Sequence, residues 1–192
     1  MARHTGLFFC VALLGAGLDL LTKHLAFKHI SGTFEEVPVI EGFFHIGRTV
    51  NPGIIFGGWG NAPMLWLVVS VVAVPAILWI FWSVRKPKRI LTICLGMILA
   101  GTIGNMYDRV FTGAHAVRDF IKFFYVSAEG VPKIWPLFNL ADSFICVGVF
   151  LLSFEMLFFD ERARRREPHA PPAPPPSTAA PLAAPGTVVE GK

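Results

Sequence analysis

Two aspartates in the second half of the chain are the residues best suited to chemistry. Asp119 lies within the run VRDF at 117–120, where apolar residues flank the charges, and Asp142 lies within the run FNLADS at 138–143. Two carboxyl groups close together in a partly dry site cannot both ionise easily, so their pKa values separate. One then acts as a base that activates water, and the other keeps a proton for a carbonyl oxygen or leaving amine. This pair of residues predicts aspartyl peptide hydrolysis.

The sequence carries no motif for a different hydrolytic chemistry. It has no HExxH or GxSxG motif, no phosphate-binding loop, and no histidine–cysteine cluster at metal-ligand spacing. The three cysteines, Cys10, Cys94 and Cys146, are scattered through apolar segments, so they predict buried thiols rather than a disulfide framework. We therefore expect neither a metal ion nor another cofactor.

The composition that surrounds these residues is typical of a membrane protein. Of 192 residues, 54% are apolar and only 16% are charged, whereas a soluble domain usually has about 25% charged residues. The formal charge of +4 is too small to indicate nucleic acid binding. The first apolar segment lacks a clear cleavage site, so we expect it to be retained as a span. Four segments are long and apolar enough to cross a bilayer, at about 6–23, 62–83, 90–107 and 137–159.

Basic residues beside the ends of these segments predict the orientation. An even number of spans puts both termini on one side of the membrane. That side carries Arg3, the basic loop 85–89 and the arginines of 162–166, so the positive-inside rule makes it cytoplasmic. We expect residues 1–160 to form the membrane domain and residues 161–192 to form a basic, then Pro/Ala-rich, disordered tail.

The two outer loops, 24–61 and 108–136, are longer than simple connectors. The stretch 36–46 has the composition of strands with turn residues, and it predicts a small β-rich cradle on the periplasmic side. We expect a short amphipathic periplasmic helix near 120–125. The predicted fold is therefore a mainly α membrane protein, with four transmembrane helices, a small periplasmic β-rich cradle and a short periplasmic helix.

Ionisable groups stand at the outer ends of the first and third spans, and such groups indicate function because they are costly in lipid. Asp19 and Lys23 lie one helical turn apart. The alternative for this pair is a helix-end ion pair in which Lys23 extends to the interface. Asn105, Asp108 and Arg109 end the third span. The alternative for this group is a polar cap on a helix-packing surface.

The catalytic candidates have structural alternatives as well. Asn139 is suited to cap the fourth helix, with Asp142 as a favourable carboxylate in its first turn. Asp119 pairs with Arg118 or Arg109 on a solvated loop if it takes no part in chemistry.

Five short blocks together resemble the lipoprotein signal peptidase family, also called signal peptidase II. They are DLLTK at 19–23, NPGIIFG at 51–57, GTIGNMYDR at 101–109, VRDF at 117–120 and FNLADS at 138–143. The resemblance covers about residues 5–160 and includes the four-span layout. It implies a multi-pass aspartic peptidase of the bacterial inner membrane, with its active site near the periplasmic face. Such an enzyme removes signal peptides from prolipoproteins and cuts before a cysteine that bears a diacylglyceryl group.

The resemblance also implies roles for individual residues and partners. Asp119 and Asp142 correspond to the catalytic pair. The implied partners are diacylglyceryl-modified prolipoproteins and membrane lipids, and we expect a monomer that binds no nucleic acid. The second outer loop corresponds to a mobile gating helix. The implied supporting and substrate-positioning residues are Asp19, Lys23, Asn51, Gly53, Gly101, Asn105, Asp108, Arg109, Asn139 and Ala141.

The chain departs from the family pattern at two places near the catalytic candidates. Arg118 stands where an apolar residue is common; because a cation turned inward would lower the pKa of Asp119, we expect Arg118 to face solvent. Ile54 and Ile55 stand where small residues are common, a difference that bears on substrate preference.

Two other functions remain open from the residues alone. One is a small ion-coupled transporter, whose charge relay would run along the polar helix ends. The other is a non-catalytic assembly partner whose charges pair to pack helices. The relay would comprise Asp19, Lys23, Asp108, Arg109 and Asp142.

Overall fold

Four long helices and a four-stranded sheet make up the computed structural model. It describes residues 2–32, 35–53, 63–85, 87–113, 115–127 and 130–160. The expectations for Ile54 and Ile55 and for the tail from residue 161 lie outside these residues. The helices are α1 (Ala2–His29), α2 (Pro63–Ser83), α3 (Arg89–Phe111) and α4 (Leu140–Glu155), which continues into a π-helical turn (Met156–Asp160). The strands are β1 (Val37–Ile40), β2 (Phe44–Asn51), β3 (Val117–Val126) and β4 (Pro132–Ile134).

Helix α3 is the centre of the bundle, because α1, α2 and α4 all pack against it. Phe8 near the start of α1 stacks on Phe81 near the end of α2, with ring centroids 4.1 Å apart. Leu95 and Leu99 of α3 complete this apolar core. Glu155 at the end of α4 pairs with Lys88, which directly precedes α3. The helices therefore alternate in direction, and the end of α1 lies on the same side as the start of α4.

All four helices are long and apolar enough to cross a membrane, which confirms the four predicted spans. Two of them extend beyond their predicted bounds: α1 continues to His29 rather than ending at Lys23, and α3 continues to Phe111. The outward faces are apolar, as for Leu13 and Phe150, which are 66% and 67% exposed. Such surfaces are stable in contact with lipid rather than water.

The sheet is antiparallel throughout, in the order β1–β2–β3–β4. Strands β1 and β2 lie in the first of the long loops, which confirms the strands expected there. Opposite Asp119 of β3 stands Thr49 of β2, and opposite Val117 stands Asn51. A bulge between Ile46 and Thr49 shifts the register of β2 just before these pairs.

The short helix expected near 120–125 is wrong, because strand β3 occupies this segment. Ile121, Phe123 and Phe124 are β-branched or aromatic residues, which favour a pleated surface. Strand β3 pairs with β2 on one side and β4 on the other. These ladders satisfy the backbone groups that a short amphipathic helix would satisfy within itself.

One backbone bridge joins the sheet to the start of α4. The carbonyl oxygen of Phe138 accepts hydrogen bonds from the amides of Phe120 (3.1 Å) and Ile121 (2.9 Å), and the Phe138 amide donates to the carbonyl of Ile121 (3.2 Å). Asn139 and the first turn of α4 therefore lie beside Asp119, although the two segments are separate in sequence.

Candidate active site

A cavity of about 550 Å³ lies where the sheet meets the helix bundle. Asp119 from β3 and Asp142 from α4 both line it, together with Asn105 and Arg109 from α3. Apolar residues of α2 and α4, among them Val69, line the part that extends into the bundle. The structure thus brings the two aspartates singled out in the sequence into one concave, partly apolar site.

Asp119 is held by two neutral amides. The Nδ2 of Asn139 donates to its Oδ1 (2.7 Å) and the Nδ2 of Asn51 donates to its Oδ2 (3.0 Å). Asp119 is only 2% exposed, so the alternative of a carboxylate paired on a solvated loop is wrong. Burial and the negative charge of Asp142 raise the pKa of Asp119 to about 7, while the two amide hydrogen bonds act in the opposite direction.

Asp142 is both a helix cap and a cavity residue. Asn139 is the N-cap of α4: its side-chain oxygen accepts from the Asp142 amide (3.0 Å), and the Asn139 amide donates to Oδ2 of Asp142 (3.1 Å). The expected cap is therefore confirmed as a reciprocal capping box. The other oxygen, Oδ1, accepts from Nδ2 of Asn105 (2.7 Å), so capping fixes a carboxylate that also lines the cavity.

Behind Asn105 lies a buried cation. The Nζ of Lys23 donates to Oδ1 of Asn105 (3.0 Å) and lies 2.7 Å from Oδ2 of Asp19 and 3.2 Å from Oδ2 of Asp108. The side chains of Lys23, Asp19 and Asp108 are all fully buried, so the alternative in which Lys23 extends to the interface is wrong. Oδ1 of Asp19 accepts from the Ala141 amide (2.8 Å), which ties α1 to the start of α4.

Arg118 does not face solvent as expected. Its Nε and Nη2 donate to Oδ1 of Asp108 (3.0 and 2.6 Å), and its backbone amide donates to Oδ2 (2.9 Å). The Arg118 guanidinium therefore does not bind the carboxyl group of Asp119, because Asp108 holds the guanidinium on the other side of β3. Sequence reasoning missed this pair, whose members are ten residues apart across the turn after α3.

Arg109 points the other way from Asp108, although the two are neighbours in sequence. Its Nη1 donates to Oγ of Ser70 on α2 (3.1 Å), and its guanidinium lines the cavity. Ser70 was not among the predicted site residues. Its signal was present, because it is the one hydroxyl in the interior of the predicted span 62–83; the other, Ser83, is the last residue of that span.

Three glycines permit the close approaches that shape the site. Gly53 has φ +104°, and a Cβ there would overlap the indole of Trp66. A Cβ on Gly101 would overlap the carbonyl oxygen of Ala141, and one on Gly104 would overlap the carboxylate of Asp19. At Gly101 the backbone of α3 therefore meets that of α4 directly, one residue before Asp142.

The arrangement is suited to general acid–base chemistry. It contains two carboxyl groups, amide groups that orient them, and one guanidinium facing the same cavity. Within the part of the chain that the structure describes, no group of three or more His, Cys, Asp or Glu residues is placed to hold a metal ion.

Comparisons with curated proteins identify relatives over most of the chain. The lipoprotein signal peptidase of Desulfitobacterium hafniense is 35% identical over 142 residues, which cover 72% of this chain and 87% of the relative. The lipoprotein signal peptidase of Teredinibacter turnerae is 36% identical, and the matched residues cover 79% of this chain and 87% of the relative. The lipoprotein signal peptidase of Bacillus subtilis is 32% identical, and the matched residues cover 84% of this chain and 99% of the relative.

Solved structures share the fold at lower sequence identity. A bacterial membrane enzyme solved by the in meso method at 2.3 Å resolution superposes with a TM-score of 0.72, at 22% identity, over 86% of this chain and 94% of its own. A second such structure gives a TM-score of 0.68 at 23% identity. The model of the family described as Signal peptidase (SPase) II matches residues 11–158. The chain is therefore a multi-pass membrane peptidase and belongs to the signal peptidase II family.

Proposed function

We propose that the chain is an aspartic endopeptidase that removes signal peptides from diacylglyceryl-modified bacterial prolipoproteins and cuts just before the lipidated cysteine. The observation that carries the mechanism is the placement of Asp119 and Asp142 in one cavity, with each carboxyl group held by amide donors. The names of the curated relatives support the substrate class. The enzyme works in the inner membrane, with both termini in the cytoplasm and the cavity near the periplasmic face.

The two carboxyl groups share one proton, and Asp119 carries it. Its raised pKa supports this assignment. Asp142 takes a proton from a water molecule as the water oxygen bonds to the scissile carbonyl carbon, and Asp119 gives its proton to the carbonyl oxygen. As the resulting diol collapses, Asp142 passes its proton to the leaving nitrogen, the C–N bond breaks, and Asp119 regains a proton from the diol. Both carboxyl groups return to their starting state.

The substrate reaches the cavity from the side, through the lipid. Among the described residues, the backbones of α2 and α4 do not come close together, and each packs on α3. Val69 and Ala73 of α2 and Ile145 of α4 line the cavity between them. Drawing an acyl chain into water would cost about 0.8 kcal/mol per CH₂, so a doubly acylated cysteine stays in the membrane while its peptide bond meets the carboxyl pair.

Amide and guanidinium groups of the cavity bind the peptide. A signal helix must unwind to expose its scissile bond, and its freed backbone groups are costly in lipid unless they are bonded. Asn51 and Arg109 face the cavity with polar groups suited to those carbonyls. Ion transport through a charge relay gains no support from this arrangement, because Lys23 is bonded to Asp19, Asp108 and Asn105.

The proposal is tested by cleavage of a purified diacylglyceryl-modified proprotein in detergent. We expect the Asp119→Asn and Asp142→Asn variants to lose activity by a factor of about 10³ or more while they keep their fold, because each removes one partner of the shared proton. The matched control is Glu41→Gln, which neutralises an exposed carboxylate in the turn between β1 and β2 and leaves the rate unchanged.

The unlipidated proprotein is assayed alongside. We expect no cleavage of it by the wild-type enzyme. Full activity in either Asp→Asn variant would remove the carboxyl pair from the mechanism, and equal cleavage of the unlipidated form would remove the lipid from the substrate class.

A further inference from the structure

We propose that Arg118 is a positioning residue for the carboxyl pair, because it balances the charge of a buried ion cluster that orients Asn105. The cluster comprises Asp19, Lys23, Asp108 and Arg118. The inference deepens the proposed aspartic mechanism and rests on it.

The cluster is electrically neutral only because Arg118 belongs to it. Two carboxylates, Asp19 and Asp108, face two cations, Lys23 and Arg118. Three of the four side chains are fully buried, and that of Arg118 is 20% exposed. Arg118 donates to Oδ1 of Asp108 from both Nε and Nη2, and its backbone amide donates to Oδ2, so one residue bonds to both oxygens of this carboxylate. Hydrogen bonds between a guanidinium and a carboxylate are stronger than those between neutral groups.

Without this guanidinium, Lys23 alone would compensate two buried carboxylates. An uncompensated buried charge is strongly unfavourable, so the ammonium group would be drawn toward Asp19 and Asp108. Its third contact is Oδ1 of Asn105, at 3.0 Å. Loss of the Arg118 guanidinium would therefore weaken the hydrogen bond from Lys23 to Asn105.

The Lys23 contact decides which way the Asn105 amide points. The oxygen of Asn105 accepts from Lys23 and from Nδ2 of Asn139 (3.2 Å), so its Nδ2 is left to donate to Asp142 (2.7 Å). An amide turned by half a rotation would present its oxygen to the carboxylate instead. A cation behind Asn105 therefore keeps a donor aimed at Asp142.

The same balance governs the electrostatic potential at the carboxyl pair. Lys23 acts on Asp119 through its charge. In the described part of the chain, α2 carries no ionisable side chain, and Arg48 of β2 is bonded to the carbonyl oxygens of Ile30 and Ser31. The charges nearest the pair come from α1, α3 and β3. Neutralising Arg118 leaves the cluster with one net negative charge, which disfavours ionisation of nearby carboxyls. The charged groups around the pair are Asp19, Lys23, Asp108, Arg109 and Arg118.

The test compares the pH dependence of kcat and kcat/KM for wild type, Arg118→Gln and Arg118→Lys, with a lipidated prolipopeptide as the substrate in detergent. Because Asn105 would no longer hold a donor on Asp142, we expect Arg118→Gln to lower the maximum kcat of the pH profile about tenfold with little change in KM. We also expect both limbs of the profile to move upward by about one unit. Arg118→Lys keeps the charge, so its limbs stay in place.

A double variant and a matched control separate charge balance from packing. Asp108→Asn combined with Arg118→Gln leaves Asp19 paired with Lys23 and neutral, so the limbs return to their wild-type positions. Lys122→Gln removes another cation of β3, one that pairs with Glu36 outside the cluster, and leaves the profile unchanged.

Each outcome bears on the inference. A folded Arg118→Gln variant whose pH profile has its limbs at the wild-type positions would overturn the inference. If that single variant loses its fold in thermal unfolding, the double variant tests the same point, and shifted limbs in the double variant would overturn it. Asp119→Asn is assayed in parallel, and activity in this variant would overturn the proposed function itself. If Asp119→Asn is inactive but the pH profile of Arg118→Gln matches that of wild type, only the role of Arg118 is overturned.

Discussion

At the scale of single residues, the two carboxyl groups are held by amides, while Lys23 and Arg118 lie one layer further out. Asn51 and Asn139 bond to Asp119, and Asn105 bonds to Asp142. A cation in direct contact would hold an aspartate ionised, whereas an amide positions it with a weaker preference for charge. This arrangement favours a pair that shares one proton.

The pH dependence of the rate follows from the raised pKa of Asp119. Below about pH 7 Asp119 holds its proton and serves as the acid. Above that value the proton is lost, both carboxyls are charged, and the acid is missing. We expect kcat/KM to fall about tenfold per pH unit on the alkaline side, measured on the lipidated substrate between about pH 5 and 9. A rate that stays flat from pH 6 to 9, with the fold intact, would contradict this assignment.

At the scale of the elements, the contact between α3 and α4 sets the distance between Asn105 and Asp142. Gly101 and Gly104 lie against the start of α4, where Ala141 is also fully buried. Small residues allow two helix backbones to approach closely in a membrane. Gly101 and Gly104 are therefore part of the site, because they let α3 approach the start of α4.

Enlarging Gly101 tests this contact. A Cβ there would overlap the Ala141 carbonyl oxygen and lie 2.7 Å from Ile145, so Gly101→Ala should reduce the free energy of unfolding by about 1–3 kcal/mol. The same displacement moves Asp142 from Asn105, so kcat falls as well. Thermal unfolding in detergent and the cleavage assay measure the two effects.

Gly17→Ala is the matched control. A Cβ at Gly17 meets no atom within 4 Å, and alanine is the better helix former by about 0.5–1 kcal/mol. We expect this variant to be as stable as wild type or slightly more stable. Equal losses at positions 17 and 101 would show that helix packing is not the cause.

At the scale of the whole molecule, the sheet and the cavity lie at one end of the bundle. The ends of α1 and α3 and the start of α4 meet there, as the Asp19–Ala141 and Asn105–Asp142 bonds show. The basic connection between α2 and α3 lies at the opposite end. Under the proposed orientation, the first end faces the periplasm and the second faces the cytoplasm.

Cysteine labelling in intact cells tests this orientation. Glu41 lies in the exposed β1–β2 turn and Arg85 in the exposed α2–α3 connection. In a chain whose three natural cysteines are replaced by serine or alanine, we expect Glu41→Cys to react with an impermeant maleimide from outside. Arg85→Cys should react only after the inner membrane is opened. The reverse pattern would invert the proposed topology.

Much of the fold follows from local patterns. The four spans could be predicted because each needs only an apolar run of sufficient length, and the strands around 36–46 because their composition is local. The N-cap at Asn139 is also a local signal. The helix expected at 120–125 is wrong, because this segment becomes a strand by pairing with β2 and β4. The pairing with β2, which is distant in sequence, cannot be read from a local pattern.

The sequence by itself determined which residue types could do chemistry and the order in which they occur. Tertiary structure decided their partners: Lys23 lies inward on Asn105 and Asp108, and Arg118 binds Asp108 rather than facing solvent. The physical reason is that a buried charged side chain must form an ion pair or hydrogen bond with the groups that the packed fold places next to it. Lys23 and Asn105 are 82 residues apart, so only the packed fold brings them together and determines how each carboxyl group holds its proton.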